Sequence, residues 1–150
     1  MAAGDTHAYR NFVLNQETAN NATNFGTDSI SIMFLKNTYT PNYTADQYIG
    51  SVSSHEVTAG TAYLNNGISL SAVSMTVSGS FAILKIGNIS LAQDNANGFN
   101  HARYGVVYEK TGAAATSQLI CLVDFGSDIS NTAGPITISY TANKILKWQI

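Results

Sequence analysis

The sequence has little cysteine, little proline and little charge. Its one cysteine, Cys121, excludes an internal disulfide, and charged residues make up 11% of the chain against about 25% in typical soluble proteins. The seven lysines and arginines are scattered and the net charge is −2, so we predict no nucleic-acid partner, which would need a basic stripe. No apolar run approaches the roughly 18 residues of a membrane span, and we predict no membrane partner.

Residue groups that carry catalysis or bind metals are also missing. The three histidines, His7, His55 and His101, lie in separate segments without the spacing of metal ligands or of a catalytic pair. Residues 93–98 resemble a calcium loop, but the position that needs a bidentate glutamate is Tyr104, so a polar turn is the better interpretation. We therefore predict no catalytic residue, no metal site and no cofactor, which favours a non-enzymatic protein.

Alternating apolar and polar residues are the main pattern that is present. Short runs of this kind, rich in β-branched and aromatic residues, predict strands. The predicted strands are 29–35, 68–77, 81–86 with a continuation over 87–92, 103–110, 118–126, 135–140 and 144–150. Their number and length predict a mainly β fold: an antiparallel β-sandwich or jelly-roll-like domain with one short N-terminal helix.

The carboxy-terminal third contains the clearest supersecondary pattern. Strands 103–110, 118–126 and 135–140 follow one another with short polar breaks, which predicts a three-stranded antiparallel meander. The middle strand is apolar on both faces and is expected to be central, with Cys121 buried as an inert thiol. Asp124 is expected to end this strand by accepting backbone hydrogen bonds, and Gly126 to supply the unusual backbone angle of the turn.

The chain divides into an N-terminal helix or arm, residues 1–24, and a single β-sandwich domain, residues 25–150. A helix is predicted over 5–19, because Asp5 or Thr6 can cap it and apolar residues follow at helical spacing. An extended arm is the alternative for this segment. Turns are predicted at Asn65–Gly67 and at 78–80, the second joining two strands as a hairpin.

Residues 36–66 lack a long apolar run but are rich in tyrosine. A structureless stretch of this length is uncommon in a compact domain, so we predict a packed excursion with tyrosine anchors and a short helix near 45–50. Tyrosines of this kind either fill the core with their hydroxyls at its rim or line a sugar-binding surface. The candidate contact residues with a partner are Tyr9, Phe12, Tyr39, Tyr43 and Tyr48.

Several segments together resemble a family of small virion proteins of tailed bacteriophages. The most specific are ArgTyrGlyValValTyrGluLys (103–110), LeuIleCysLeuValAspPheGly (119–126) and GlyProIleThrIle (134–138). Upstream, AspSerIleSerIleMetPheLeu (28–35) with ThrTyrThrProAsnTyr (38–43), and GluValThrAlaGlyThrAlaTyr (56–63), are similar to a first core strand, its following loop and a later turn of that family.

The resemblance implies a non-catalytic component of the virus particle. The expected function is that of a capsid decoration or cement protein, which stabilises the head shell from its outer surface. Its expected partners are the major capsid protein and copies of itself, with a homotrimer expected by analogy with cement proteins. The alternative is a tail, knob or fibre component that binds host-surface polysaccharide. Because no signal peptide is visible, we expect synthesis in the host cytoplasm and a final location on the virion's capsid surface.

Overall fold

The computed structural model describes residues 4–141 and 144–150, so the first three residues of the 1–24 segment lie outside the described part. The elements follow in this order: β1 (Thr6–Ala8), α1 (Arg10–Thr18), β2 (Ile30–Lys36), two single 3₁₀ turns (Ile49–Ser51 and Ser53–His55), β3 (Ile68–Ser69), β4 (Ser74–Ser78), β5 (Phe81–Lys85), β6 (Ile89–Leu91), β7 (Ala102–Glu109), β8 (Leu119–Ile129), β9 (Ile136–Ile138) and β10 (Lys144–Gln149). The strands form antiparallel sheets with the orders β1-β8-β7-β2-β3, β10-β5-β4 and β6-β9. The predicted mainly β fold with one short N-terminal helix is confirmed.

The five-stranded sheet forms the middle layer because both of its faces are buried. In β2, Ile32 and Phe34 point to one face and Met33 and Leu35 to the other, and all four are fully buried. The first face packs against α1 and the two smaller sheets and forms the main core. The second face is covered by the excursion that follows β2, which contributes Tyr39, Ile49 and Val52 to a second core. The result is a sandwich-like arrangement of layers.

The apolar run in β8 forms an interior strand, as predicted. β8 lies between β1 and β7, and Cys121 is fully buried, where burial raises the pKa of its thiol. The predicted turn after Asp124 is wrong, since β8 continues to Ile129. Asp124 still accepts the backbone N–H of Gly126 at 2.7 Å, and Gly126 has a φ of 78°, so this is an irregularity within a strand.

The predicted three-stranded meander is wrong in its last strand. β7 and β8 pair antiparallel, but β9 pairs with β6 in a separate sheet, with Ile136 opposite Leu91 and Ile138 opposite Ile89. The chain leaves β8 through Asn131, which is fully buried and accepts the backbone N–H of Phe99 at 2.8 Å. This tie directs the following residues to the main core and away from the edge of β8.

The N-terminal segment is a strand followed by a shorter helix than predicted. Thr6–Ala8 pairs antiparallel with β8, His7 opposite Leu122, and the helix begins at Arg10. Tyr9 is extended and fully buried, and no side chain caps the helix, so capping by Asp5 or Thr6 is wrong. The predicted extended arm is thus present in β1, but residues 6–18 are packed into the same cores as the rest of the domain.

The segment predicted as one strand over 68–77 is divided in two. β3 and β4 are separated by 70–73, where Ala72 adopts a φ of 50° that breaks the strand. The predicted hairpin is confirmed, since β4 and β5 pair antiparallel and Ser78 faces Phe81 across the two-residue turn. The turn at Asn65–Gly67 is confirmed as well, with positive φ angles of 67° at Asn66 and 74° at Gly67. The short helix predicted near 45–50 is replaced by the two 3₁₀ turns over 49–55.

Candidate functional site

Two of the sequence-predicted contact residues, Tyr9 and Tyr39, are core residues. Both rings are buried, the Tyr9 and Tyr39 hydroxyls are 3.3 Å apart, and the Tyr39 hydroxyl donates to Asp46 Oδ2 at 2.7 Å. Burial raises the pKa of both phenols. They anchor the excursion to the five-stranded sheet, as the prediction of tyrosine anchors required, and their rings do not reach a surface that a partner could touch.

Phe12, also predicted as a contact residue, fixes the helix to the core. Its ring is fully buried and makes edge-to-face contacts with Trp148 at 5.4 Å and Phe25 at 6.1 Å between ring centroids. α1 therefore packs on the last strand through an aromatic cluster. The role of Phe12 in this structure is to hold the helix in place.

Tyr43 is half-buried in a mixed aromatic and charged surface, which we call the tyrosine surface (His7, Tyr43, Arg103, Tyr104 and Asp124). The Tyr43 ring lies 5.1 Å from that of His7. Arg103 donates to both Asp124 oxygens, at 2.7 and 3.2 Å, and its guanidinium lies 6.0 Å from the Tyr104 ring centroid. The Arg103 side chain holds the pKa of Asp124 below its ordinary value. Tyrosine and arginine are enriched in protein interfaces, so this surface suits recognition.

Tyr48, the last of the predicted contact residues, is half-buried and lines a polar groove of about 410 Å³. We call it the asparagine groove, and its lining consists of Asn11, Asn15, Asn20, Asn21, Tyr48 and Thr116. The structure thus separates the five predicted residues: three are core, and Tyr43 and Tyr48 lie on different surfaces. Sequence reasoning missed the asparagines, although four of them within eleven residues were a visible signal.

Sequence reasoning also missed a surface of exposed apolar side chains on β4 and directly after β10. Val77 is 67% exposed, Ile150 59% and Met75 42%. They surround a groove of about 420 Å³, the hairpin groove, which is lined by Gln16, Glu17, Met75, Val77, Ala82, Trp148 and Ile150. Alternation predicted that Met75 and Val77 share a face. Their partners across the hairpin, Leu84 and Ala82, are buried by the core, whereas Met75 and Val77 lie beyond its edge. Alternation along the sequence does not indicate where the core ends.

β4 is an edge strand without the usual protection of edges. Among the described residues, no strand pairs with its outer side. Its sequence, SerMetThrValSer, contains no charge and no proline, which natural edges use to prevent pairing with another chain. Because Ser78 and Phe81 close the hairpin, the alternation of hydrogen-bonded pairs directs the backbone groups of Met75 and Val77 outward. The backbone N–H and C=O groups on this edge can therefore pair with a further strand.

Asp94 organises the turn that resembled a calcium loop. Its Oδ2 accepts the Thr61 N–H and hydroxyl, both at 2.7 Å, and the Ala62 N–H at 3.3 Å, while Oδ1 accepts the Asn97 N–H at 2.9 Å. Donation by the Thr61 hydroxyl is the largest of the effects that lower the pKa of Asp94, to about 2. The interpretation as a polar turn is confirmed, and the carboxylate ties it to the 60–62 loop.

We expect Asp94 to make folding stability sensitive to acid. Its pKa is about 2 in the folded protein and about 3.9 when unfolded, so the ionised form stabilises the fold above about pH 4 and this contribution is lost as the pH falls towards 2. Thermal unfolding from pH 7 to pH 2 should show Asp94→Asn less stable than wild type at pH 7, with the two midpoints converging in acid. An exposed control, Asp5→Asn, should follow the wild-type curve. Parallel curves for wild type and Asp94→Asn would contradict the assignment.

The described ranges contain no group of three or more His, Cys, Asp or Glu side chains close enough to hold a metal ion. They also contain no helix with the length and apolar character that crossing a membrane requires. A comparison of the chain with protein families, with curated protein sequences and with solved structures found no match.

Proposed function

We propose that this protein is a non-enzymatic structural protein of a tailed-bacteriophage virion, a capsid decoration or cement protein on the outside of the head shell. The observation that carries the proposal is the β4 edge with its hairpin groove. An uncharged open edge beside exposed Met75, Val77 and Ile150 is a contact surface that favours association. The resemblance of 102–140 to small virion proteins supports a phage particle as the place of this association.

The partners that fit this surface are the major capsid protein and copies of the same chain. A strand of a shell subunit that pairs with β4 would satisfy the outward backbone groups of Met75 and Val77, and its apolar side chains would fill the hairpin groove. Contacts of this kind are modest singly. Repeated over a symmetric shell, these contacts together resist expansion of the shell. A subunit that loses one contact is still held by its other neighbours, so the lost contact forms again quickly.

The mode of self-association depends on which surface meets β4. If β4 of one copy pairs with β4 of another, both copies contribute the same surface and a twofold dimer forms. A homotrimer requires β4 to contact a different surface of the next copy, so that three contacts close a ring. Sedimentation equilibrium of the purified protein distinguishes the two arrangements.

The decoration role predicts saturable binding to head shells that lack the protein. Purified protein mixed with expanded shells should pellet with them, at a copy number that scales with the number of shell subunits. Decorated shells should withstand higher temperature or mechanical load than bare ones. Protein that stays in the supernatant, together with bare shells as strong as complete ones, would overturn the proposal.

A second candidate is a tail, knob or fibre component that binds host-surface polysaccharide. The observation that favours it is the partial exposure of Tyr43 and Tyr48, two tyrosines of the 36–66 excursion whose rings border surface grooves or polar side chains. Antibody labelling of intact virions separates the two candidates, because a decoration protein labels the whole head and a tail component labels one end of the particle.

A further inference from the structure

We infer that the asparagine groove is a binding site for a neutral saccharide. Of its six lining residues, four are asparagines, one is a tyrosine and one is a threonine, and none carries a charge. Its volume of about 410 Å³ lies within the range of roughly 300–1,000 Å³ of small-molecule sites. The inference is independent of the decoration role, and it rests on the second candidate function, whose saccharide binding it assigns to this one groove.

Three of the four amides of the groove offer hydrogen bonds that the protein itself does not use. The side chains of Asn11, Asn20 and Asn21 have no hydrogen-bond partner among the described residues, and the same holds for the Tyr48 hydroxyl. Each free amide presents two donors and one acceptor. A sugar hydroxyl both donates and accepts, so neighbouring hydroxyls on one ring match neighbouring amides. Carboxylates, phosphates and ammonium groups find no opposite charge in this lining.

The helix holds two of these amides in a fixed relation. Asn11 and Asn15 are four residues apart in α1 and therefore lie one above the other on the same helix face. Asn15 Nδ2 also donates to Gln118 Oε1. Since a polar site works best when its side chains are already oriented, the hydrogen bond of Asn15 favours binding without a large loss of entropy at that side chain.

A buried polar network keeps this side of the groove rigid. Gln118 is fully buried and its Nε2 donates to the Thr23 hydroxyl at 3.3 Å, which in turn donates to Glu109 Oε2 at 2.7 Å. Across the groove, the Thr116 hydroxyl is 2.6 Å from that of Thr111 within the loop that precedes β8. The walls of the groove are thus held by β7, β8 and their connecting loop.

Tyr48 supplies the apolar component that sugar recognition needs. The face of a phenol ring carries partial negative charge, which attracts the polarised C–H groups on the flat face of a pyranose. Tyr48 is half-buried, and its backbone pairs with that of Gln118 in an isolated β-bridge. The bridge fixes the position of the Tyr48 backbone beside the groove that its ring lines. One aromatic side chain beside several amides thus gives the groove both components of a sugar site.

The test is binding of neutral oligosaccharides by the purified full chain, first on a glycan array and then by isothermal titration calorimetry. We expect binding of neutral glycans that free sugar competes away. Asn11→Ala and Tyr48→Ala should each weaken it about tenfold, as expected for loss of one or two hydrogen bonds or a stacking contact. Tyr48→Phe, which keeps the ring, should bind better than Tyr48→Ala.

The matched control is Asn95→Ala, an exposed asparagine whose side chain has no hydrogen bond among the described residues and which lies outside the groove. It should bind like wild type. Asn11 lies in the first turn of α1 and its side chain has no hydrogen-bond partner among the described residues, so Asn11→Ala should remain folded, which circular dichroism verifies. Absence of binding to every neutral glycan, binding of charged glycans only, or unchanged affinity in both alanine variants would overturn the inference. Shell pelleting by Asn11→Ala should stay at the wild-type level, which separates this result from the decoration role.

Discussion

Replacement of Phe34 by alanine is expected to lower the free energy of unfolding by about 3–5 kcal/mol. Phe34 is fully buried in β2, in the main core. Its ring stacks on Tyr63 at 5.3 Å between centroids and makes edge-to-face contacts with Phe99 at 5.6 Å and Phe125 at 5.5 Å. Truncation removes three aromatic contacts and leaves a cavity between sheet and loops that the backbone cannot close. Chemical denaturation followed by tryptophan fluorescence measures the loss.

Two further variants make the Phe34 result interpretable. Leu64→Ala removes an apolar side chain that is 64% exposed, and we expect it to change the free energy of unfolding by less than about 0.5 kcal/mol. Phe34→Leu keeps most of the volume and should lie between wild type and Phe34→Ala, which provides a measurement if the alanine variant does not fold. A loss below about 1 kcal/mol for Phe34→Ala would show that the aromatic cluster does not form the centre of the core.

Replacement of Val77 by lysine is expected to reduce binding to head shells at least about tenfold, which corresponds to about 1.4 kcal/mol. Val77 is 67% exposed, so the free protein accepts the longer side chain without repacking. In the proposed complex the lysine would be placed in the hairpin groove, where desolvation of its ammonium group opposes association. A lysine on an edge strand also hinders pairing with a further strand. Pelleting of each variant with shells over a concentration series gives the two affinities.

Leu64→Lys is the matched control for the hairpin groove. Leu64 is 64% exposed and apolar, like Val77, but it does not line this groove. It should bind shells like wild type, and both lysine variants should keep the wild-type circular dichroism spectrum. Equal loss of binding in the two variants would show a general effect of positive charge. Wild-type binding by Val77→Lys would exclude the hairpin groove as the contact surface.

The parts of the fold that the sequence predicted are those set by local pattern. The hairpin between β4 and β5 and the Asn65–Gly67 turn were readable because particular residues favour particular backbone angles. The interior position of β8 followed from its continuous apolar run, which requires cover on both faces. In these cases the residues that determine the structure are close to one another along the chain.

The errors arose where distant partners determine the structure. β9 is short, and its pairing with β6 depends on the path of the chain through Asn131, which no local pattern indicates. Thr6–Ala8 directly precedes apolar residues at helical spacing, which placed it in the predicted helix. The backbone groups of Thr6–Ala8 instead pair with the edge of β8, a partner that is remote along the chain. Strand pairing between remote segments is outside the reach of periodicity arguments.

The candidate surfaces were only partly predictable for a related reason. Tyrosine has an apolar ring and a polar hydroxyl, so its presence in 36–66 was compatible with burial and with exposure. Tyr39 is buried because the hydroxyl of Tyr9 and the carboxylate of Asp46 satisfy its own hydroxyl, and Tyr43 and Tyr48 remain partly exposed. The exposure of Val77 depends on where the neighbouring layer ends, which is a property of the assembled domain.

The pairing of β1 with β8 also constrains how the domain is made. Residues 6–8 meet 121–123 only after most of the domain has left the ribosome, and β2 likewise waits for β7. The five-stranded sheet therefore cannot assemble until these segments have been synthesised. Until then the nascent polypeptide exposes apolar segments that the sheet later buries. Chaperones should accordingly be needed most before residues 121–123 emerge.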